Sequence, residues 1–167
     1  MNILVKIFQP NDFELLNYLK IMKRNKLGTI LIVGPKRSGK TELLNQLNDL
    51  YIKSNQILNL GIELSKIFLN VEKYEDINIK EEIQKIILNY SFFIFIDNIE
   101  VMLDSYIQLD PINTLLYFVK DLFSVISVPG MIRGNDLDFG PGTRKYDIKY
   151  NIKYLKENDI IINLGGN

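Results

Sequence analysis

Two kinds of apolar pattern alternate along the chain: short, mostly apolar runs, and stretches where apolar residues recur every three or four positions. The runs are Thr29-Ile-Leu-Ile-Val33, Phe92-Phe-Ile-Phe-Ile96, Phe123 to Val128 and Ile160 to Leu164, and they read as buried strands. Phe92–Ile96 is apolar on both faces, which suits a central parallel strand covered by helices on each side. Gln56 to Leu60 reads as a further strand, and Asn2 to Phe8 as a strand or a leader packing on the core. Helical spacing runs from a cap at Asn11 or Asp12 to about Lys23, through Glu42–Leu50, and from Ile62 to Leu69 after Gly61. It recurs through Ile79, Ile83, Ile86, Ile87 and Tyr90, then from the cap pair Asp110-Pro111 to about Leu122. Val71 to Asn78 reads as a polar connection and Met131 to Lys145 as a long surface loop. Tyr146 to Ile152 reads as an edge strand or extended segment.

Strands alternating with helices predict an α/β fold of three layers with a mostly parallel central sheet and right-handed crossovers. Neither an internal repeat nor a second core is visible, so residues 1–167 read as one domain. Residues 1–27 are its leader and first helix, and 131–159 are a loop and extended segment before the last strand.

The turn between the first buried run and its helix is Gly34-Pro-Lys-Arg-Ser-Gly39-Lys40-Thr41, which fits the P-loop pattern G-x-x-x-x-G-K-[ST]. Gly34 and Gly39 allow backbone conformations that a β-carbon would forbid, and bring N–H groups near phosphate oxygens. The helix that follows aims its positive end at the same point. Lys40 supplies a charge for the β- and γ-phosphates, and Thr41 a hydroxyl for Mg²⁺. The residues expected to contact nucleotide are therefore Gly34, Pro35, Lys36, Arg37, Ser38, Gly39, Lys40, Thr41 and Glu42.

A second element closes the Phe92–Ile96 run. Asp97 stands where a nucleotide-hydrolysing P-loop fold keeps the acid that holds Mg²⁺, so Thr41 and Asp97 form the expected metal pair. A full strand and its helix separate Asp97 from the P-loop in sequence. That fits the RecA/AAA-like branch of P-loop NTPases, in which another strand lies between the two; small nucleotide kinases place them side by side and carry a lid. Active ATPases of this branch commonly follow the Asp with Glu, but here Asn98 follows and the nearest acid is Glu100. Glu100 reads either as the residue that positions the attacking water or as a surface acid favoured by the helix dipole. Lys40, Asp97 and Glu100 are thus the candidate catalytic residues, and slow hydrolysis and binding without hydrolysis both stay open.

Weaker candidates follow. Ser124 and Ser127 lie on the next strand, where related ATPases keep a γ-phosphate sensor; packed serines are the alternative, and Ser127, near the strand end, is the better choice. The arginines are Arg24, Arg37, Arg133 and Arg144, and either of the last two could serve a neighbouring subunit as an arginine finger. No Asn-Lys-x-Asp guanine-reading motif occurs, so ATP is expected over GTP.

Composition narrows the chemistry. The chain has no cysteine and no histidine, which removes thiol nucleophiles, imidazole acid–base catalysis and the usual zinc ligands. Formal net charge is zero, which argues against strong independent binding to nucleic acid or membrane. With 47% apolar residues, no signal-peptide pattern and no run long enough to span a bilayer, a cytoplasmic globular protein is expected.

With these residues placed, the chain resembles the BrxF-like P-loop proteins of bacteriophage exclusion (BREX) defence systems. The resemblance covers most of the chain. It rests on Gly34–Thr41, Asn59-Leu-Gly-Ile-Glu-Leu-Ser65, Ile96-Asp97-Asn98-Ile99-Glu100-Val101, Leu109-Asp110-Pro111 and the tail from Leu137-Asp-Phe-Gly-Pro-Gly142 to Tyr146. It implies a small ATP-binding switch or partner-dependent ATPase acting beside a large ATPase, a methyltransferase and a phosphatase-like protein, with ATP and Mg²⁺ as cofactors. It also implies possible homo-oligomers and only weak or indirect contact with DNA. The Asp-Asn-x-Glu order belongs to the family pattern. The family carries a more basic stretch before its fourth strand than Lys120-Asp121-Leu122, so a contact made there is in doubt in this chain. The competing expectations are a small-molecule or nucleotide kinase and a helicase-loader-like DNA-associated ATPase.

Overall fold

The computed structural model describes residues 6–10, 12–51, 57–71, 77–104, 107, 109–139 and 149–165. Six strands form one sheet in the order β1-β9-β2-β5-β4-β3. They are β1 (Lys6–Phe8), β2 (Gly28–Gly34), β3 (Leu58–Asn59), β4 (Phe93–Asp97), β5 (Phe123–Pro129) and β9 (Ile160–Asn163). Every neighbouring pair is parallel, so all six strands end on the same edge. Five helices accompany them among the described residues: α1 (Phe13–Asn25), α2 (Lys40–Tyr51), α3 (Leu60–Leu69), α4 (Ile79–Ile87) and α5 (Pro111–Phe118). None is long and apolar enough to cross a membrane.

The layers follow from strand alternation. On β2, Ile30 and Ile32 point to one face and pack with Leu15, Leu19 and Met22 of α1 and Leu44 and Leu47 of α2. Leu31 and Val33 point to the other face, covered by Leu60 and Leu64 of α3, Ile83 and Ile87 of α4, and Ile112 and Leu115 of α5. All four β2 side chains have no exposed surface. At about 1.5–3 kcal/mol for each large apolar side chain, this double burial ties the first strand of the P-loop unit to both layers. The α/β three-layer architecture expected from the sequence is the one observed.

Several boundaries differ from those expectations. The strand after α2 is only Leu58–Asn59, because Asn59 turns at once into the cap of α3, its Oδ1 accepting from the Ile62 N–H at 3.0 Å. Gly61 therefore lies inside α3 rather than before it. Asp110 caps α5 as expected, but the helix stops at Phe118. Asp12 does not cap α1 through its side chain, which accepts instead from the Gln9 N–H at 2.6 Å. The leader is a full member of the sheet: β1 pairs with the last strand, β9.

The largest correction concerns the segment read as a loop from Met131. It contains β6 (Met131–Arg133) and β7 (Asp136–Asp138), which form an antiparallel hairpin. β8 (Lys149–Asn151) then pairs with β7, so the expected edge strand belongs to this small second sheet. Leu137 and Tyr150 are buried in the core and Ile132 and Phe139 pack against it, and these few anchors make structure out of a largely polar sequence. The expectations that fall on Asn2–Val5, on Asn11 as the alternative cap, on Gln56, on residues 72–76 and on residues 140–148, including Arg144, lie outside the described residues.

The approach to β9 is fastened by Asp159. Its Oδ1 accepts from the Thr29 N–H and its Oδ2 from the Lys156 N–H, each at 2.9 Å. Burial raises this carboxyl above its ordinary value, outweighing the N–H bonds that pull it down. Asp159→Asn turns an N–H₂ group toward one of these donors. It is expected to lower stability at neutral pH by about 1–3 kcal/mol. A carboxyl whose folded value is raised carries extra stability below 3.8 that fades as pH rises through the folded value. Urea unfolding should therefore show the gap between wild type and variant widest below that pH; a gap that grows toward neutrality contradicts the assignment.

Candidate functional site

The ligand-facing edge is the one where the strands end. β2 ends at Gly34 and β4 at Asp97, and β5 runs between them, pairing with both. This is the arrangement expected from the intervening strand in the sequence. Alternation puts Gly34 and Asp97 on the face that carries α2, since Ile32 and Phe95, two residues earlier on each strand, pack there.

The turn is built for close approach. A β-carbon on Gly34 would overlap the Ser38 Oγ and stand 3.0 Å from the Leu164 Cβ. The Ser38 Oγ is buried and has no hydrogen-bond partner among the described residues. Gly39 has φ +88°, and Arg37 has φ +66°, so the turn reverses through two left-handed residues. α2 opens with the Leu43 N–H bonded to the Gly39 carbonyl at 3.0 Å, leaving the first-turn N–H groups facing the loop.

Lys40 is buried, and its Nζ donates to the Pro35 carbonyl at 2.7 Å. Burial pushes its ammonium below the ordinary value; the carboxylates of Glu100 and, second, Asp97 pull it back up. Thr41 Oγ1 donates to Asp97 Oδ2 at 2.9 Å, and Asp97 Oδ1 accepts from the Asn98 N–H at 2.9 Å. The expected metal pair is thus in direct contact. Among the described residues no cluster of three or more acidic, His or Cys side chains could hold a metal by itself. A hydroxyl and one carboxylate are hard oxygen donors, and they suit Mg²⁺ that takes its remaining ligands from phosphates and water.

Asn98 has φ +56°, a left-handed conformation that Asn tolerates better than most residues. The chain turns there into a 3-10 segment, Ile99–Leu103, whose first turn presents Glu100. Glu100 is exposed and near enough to Lys40 to be the first of the charges acting on it. Asn98 is therefore explained by its backbone, and Glu100 lies at the site.

Other expected residues scatter. Pro35, Lys36 and Arg37 are exposed on the turn. Glu42, exposed in the first turn of α2, accepts from Gln46 Nε2 at 3.1 Å. Ser124 Oγ donates to Thr29 Oγ1 at 2.8 Å inside the sheet, a packing role. Ser127 is buried one place beyond Ile126, which pairs with Ile96, so it stands alongside Asp97 on the α2 face. Arg133 is on the hairpin, 3.7 Å from Asp138 Oδ2.

Sequence reasoning missed two neighbours of the site. The end of β9 abuts the P-loop: the Leu164 N–H donates to the Val33 carbonyl at 2.7 Å. Asn59 pairs with Asp97 in register, and Gly61 lets the start of α3 approach Asn98, whose carbonyl would be 3.2 Å from an added β-carbon. These contacts frame a cavity of about 760 Å³ beside the loop, lined by Lys36, Asn59, Ser65, Asn98, Glu100 and Pro129 among others. The signal for it was the Asn59–Ser65 segment, whose glycine has a reason only once Asn98 is seen against it.

A family model, the AAA domain, matches residues 27–123. No curated protein and no solved structure matches the chain. The matched stretch runs from the residues just before β2 to the start of β5 and includes the P-loop, the Asn59–Ser65 segment and Asp97 through Glu100.

Gly34→Ala tests the close approach. The β-carbon forces Ser38 out of place, and ATP affinity measured by calorimetry is expected to fall roughly tenfold or more. Adding Ser38→Ala removes the overlapping oxygen and should recover part of that loss; no recovery would locate the defect elsewhere.

Proposed function

The chain belongs to the AAA-domain family of P-loop ATPases, and from that premise we propose that it binds ATP with Mg²⁺ and hydrolyses it slowly, with Glu100 as the general base. The observation that carries the reading is the contact of Thr41 with Asp97, with the carboxylates of Glu100 and Asp97 both acting on the Lys40 ammonium. The P-loop N–H groups and the α2 N-terminus hold the phosphates, and Lys40 exchanges its bond to the Pro35 carbonyl for the β- and γ-oxygens. When bound, Mg²⁺ neutralises charge on those oxygens; Thr41 would hold it directly and Asp97 through water. Glu100 orients a water in line with the γ-phosphorus. The water oxygen bonds to phosphorus, the bond to the β-phosphate oxygen breaks, the water proton passes to Glu100, and ADP leaves.

The same reading takes the protein as a switch subunit of a BREX-type anti-phage assembly, working with a large ATPase, a methyltransferase and a phosphatase-like protein. Its support is the resemblance carried by Asn59–Ser65 and Asp97–Glu100, two segments that meet at the site through Gly61 and Asn98. Bound nucleotide would tighten that contact and release would loosen it, which is how a switch segment reports its ligand. The second reading, a small-molecule kinase, draws on the cavity beside the loop, which could hold an acceptor hydroxyl next to Glu100. Phosphoryl transfer to a panel of nucleoside monophosphates would favour it.

Phosphate release from ATP over a range of protein concentrations tests the main reading. Wild type should release phosphate and Lys40→Ala should not; specific activity that rises with concentration means a neighbouring copy completes the site. Glu100→Gln is expected to cut turnover about 10²-fold or more while ATP affinity stays within about threefold. Unchanged turnover in that variant removes Glu100 from catalysis.

A further inference from the structure

A second cavity, of about 540 Å³, opens at the opposite edge of the sheet, where the parallel strands begin. Gly28, Thr29 and Asp159 line it, with Tyr150, and it is reached past Tyr117 and Tyr154. The two outer tyrosines are 61% and 64% exposed, so much of each ring is open to solvent. Each carries an ammonium: Lys120 Nζ lies 5.3 Å from the Tyr117 ring centre, and Lys153 Nζ 5.0 Å from that of Tyr154. A third ring at this edge repeats the arrangement. Phe92, 58% exposed just before β4, has Lys26 Nζ at 4.6 Å and holds φ +71°, a strained conformation for a bulky residue.

Exposed lysines outnumber exposed carboxylates here although the chain is neutral: Lys26, Lys120, Lys153 and Lys156 stand against Asp121 and Glu157. Asp159 is buried, with each carboxylate oxygen accepting a backbone N–H, and Asp110 acts on Tyr150 from the start of α5. The Tyr150 hydroxyl is buried with no hydrogen-bond partner among the described residues. Burial, with Asp110 and Asp159, pushes this phenol up to about 12, so at neutral pH it keeps its proton to donate.

We propose that this edge binds single-stranded nucleic acid, with one nucleotide entering the cavity. Its base stacks on Tyr117 or Tyr154 and takes the Tyr150 hydroxyl, and the backbone phosphates lie against Lys120 and Lys156. Exposed rings interleaved with lysines are what a strand of unpaired bases requires, since every base offers a face to stack and every step a phosphate to neutralise. The cavity has the size of a small-ligand pocket, which admits a single nucleotide and not a duplex. The site is independent of the P-loop and would stand if ATP hydrolysis failed.

The test is fluorescence anisotropy of a labelled oligothymidylate of about ten nucleotides, with the Lys40→Ala chain beside wild type so that the P-loop cannot account for phosphate binding. Both should bind in the micromolar range, more weakly as salt rises. Tyr154→Ala and Lys156→Glu should each weaken binding about tenfold, with ATP binding by the same variants confirming the fold. Should Tyr154→Ala unfold, the exposed Lys120→Glu takes its place with the same expected loss. No anisotropy change up to about 100 µM protein overturns the proposal. So does equal affinity for duplex with no effect of the tyrosine change. Displacement by free thymidine monophosphate as readily as by unlabelled strand would make a free nucleotide the ligand and overturn the assignment to a strand.

Discussion

The ligand edge depends on β2 being held on both sides by parallel partners. β5 and β9 pair along its length, and the pairing continues beyond the strands: the Gly130 N–H donates to the Gly34 carbonyl at 3.1 Å, and the Leu164 N–H to that of Val33 at 2.7 Å. The base of the P-loop is clamped between two backbones before any side chain is considered. Only such a fixed base lets a turn with two left-handed residues keep its shape, because local strain persists where surrounding structure over-determines it. Parallel pairing does the remaining work, bringing Gly34, Pro129 and Asp97 to one edge in adjacent strands although Asp97 is far from Gly34 in sequence.

The two edges of the sheet differ in how their charged groups are arranged. At the edge where strands end, a buried ammonium is lowered by desolvation and steadied by two carboxylates, a balance that an incoming polyphosphate would shift toward the charged lysine. At the edge where strands begin, lysines sit over exposed rings and a buried phenol has no hydrogen-bond partner among the described residues. A formal net charge of zero describes neither. Charge summed over a chain speaks to solubility and long-range steering, whereas recognition answers to local arrangement.

Much of the site was legible because its parts are local. A P-loop is contiguous, since its backbone must curl around one phosphate group, and its glycines are required by contacts inside the same eight residues, as with Gly34 against Ser38. Asp97 was legible from its place at the end of a doubly apolar run. Glu100 was not assignable: whether it faces the nucleotide depends on the left-handed turn at Asn98, and Asn occurs in many settings. The Met131–Asp138 hairpin was missed for a similar reason. Its strands are short and largely polar, and they are held by Leu137 with Ile132 and Phe139, whose partners come from distant parts of the chain.

By itself the sequence determined the alternation of buried strands and helices, the parallel character of the sheet, the phosphate-binding turn and the acid opposite it. These follow from periodicity and from steric and hydrogen-bonding demands within a few residues. Tertiary structure alone decided that the first strand joins the last, that Gly61 stands close against Asn98, and that Glu100 sits near Lys40. It also decided that rings and lysines from four separate stretches of the chain gather at the far edge. Each of these turns on which distant segments are neighbours, and that is set by burial and register across the whole sheet.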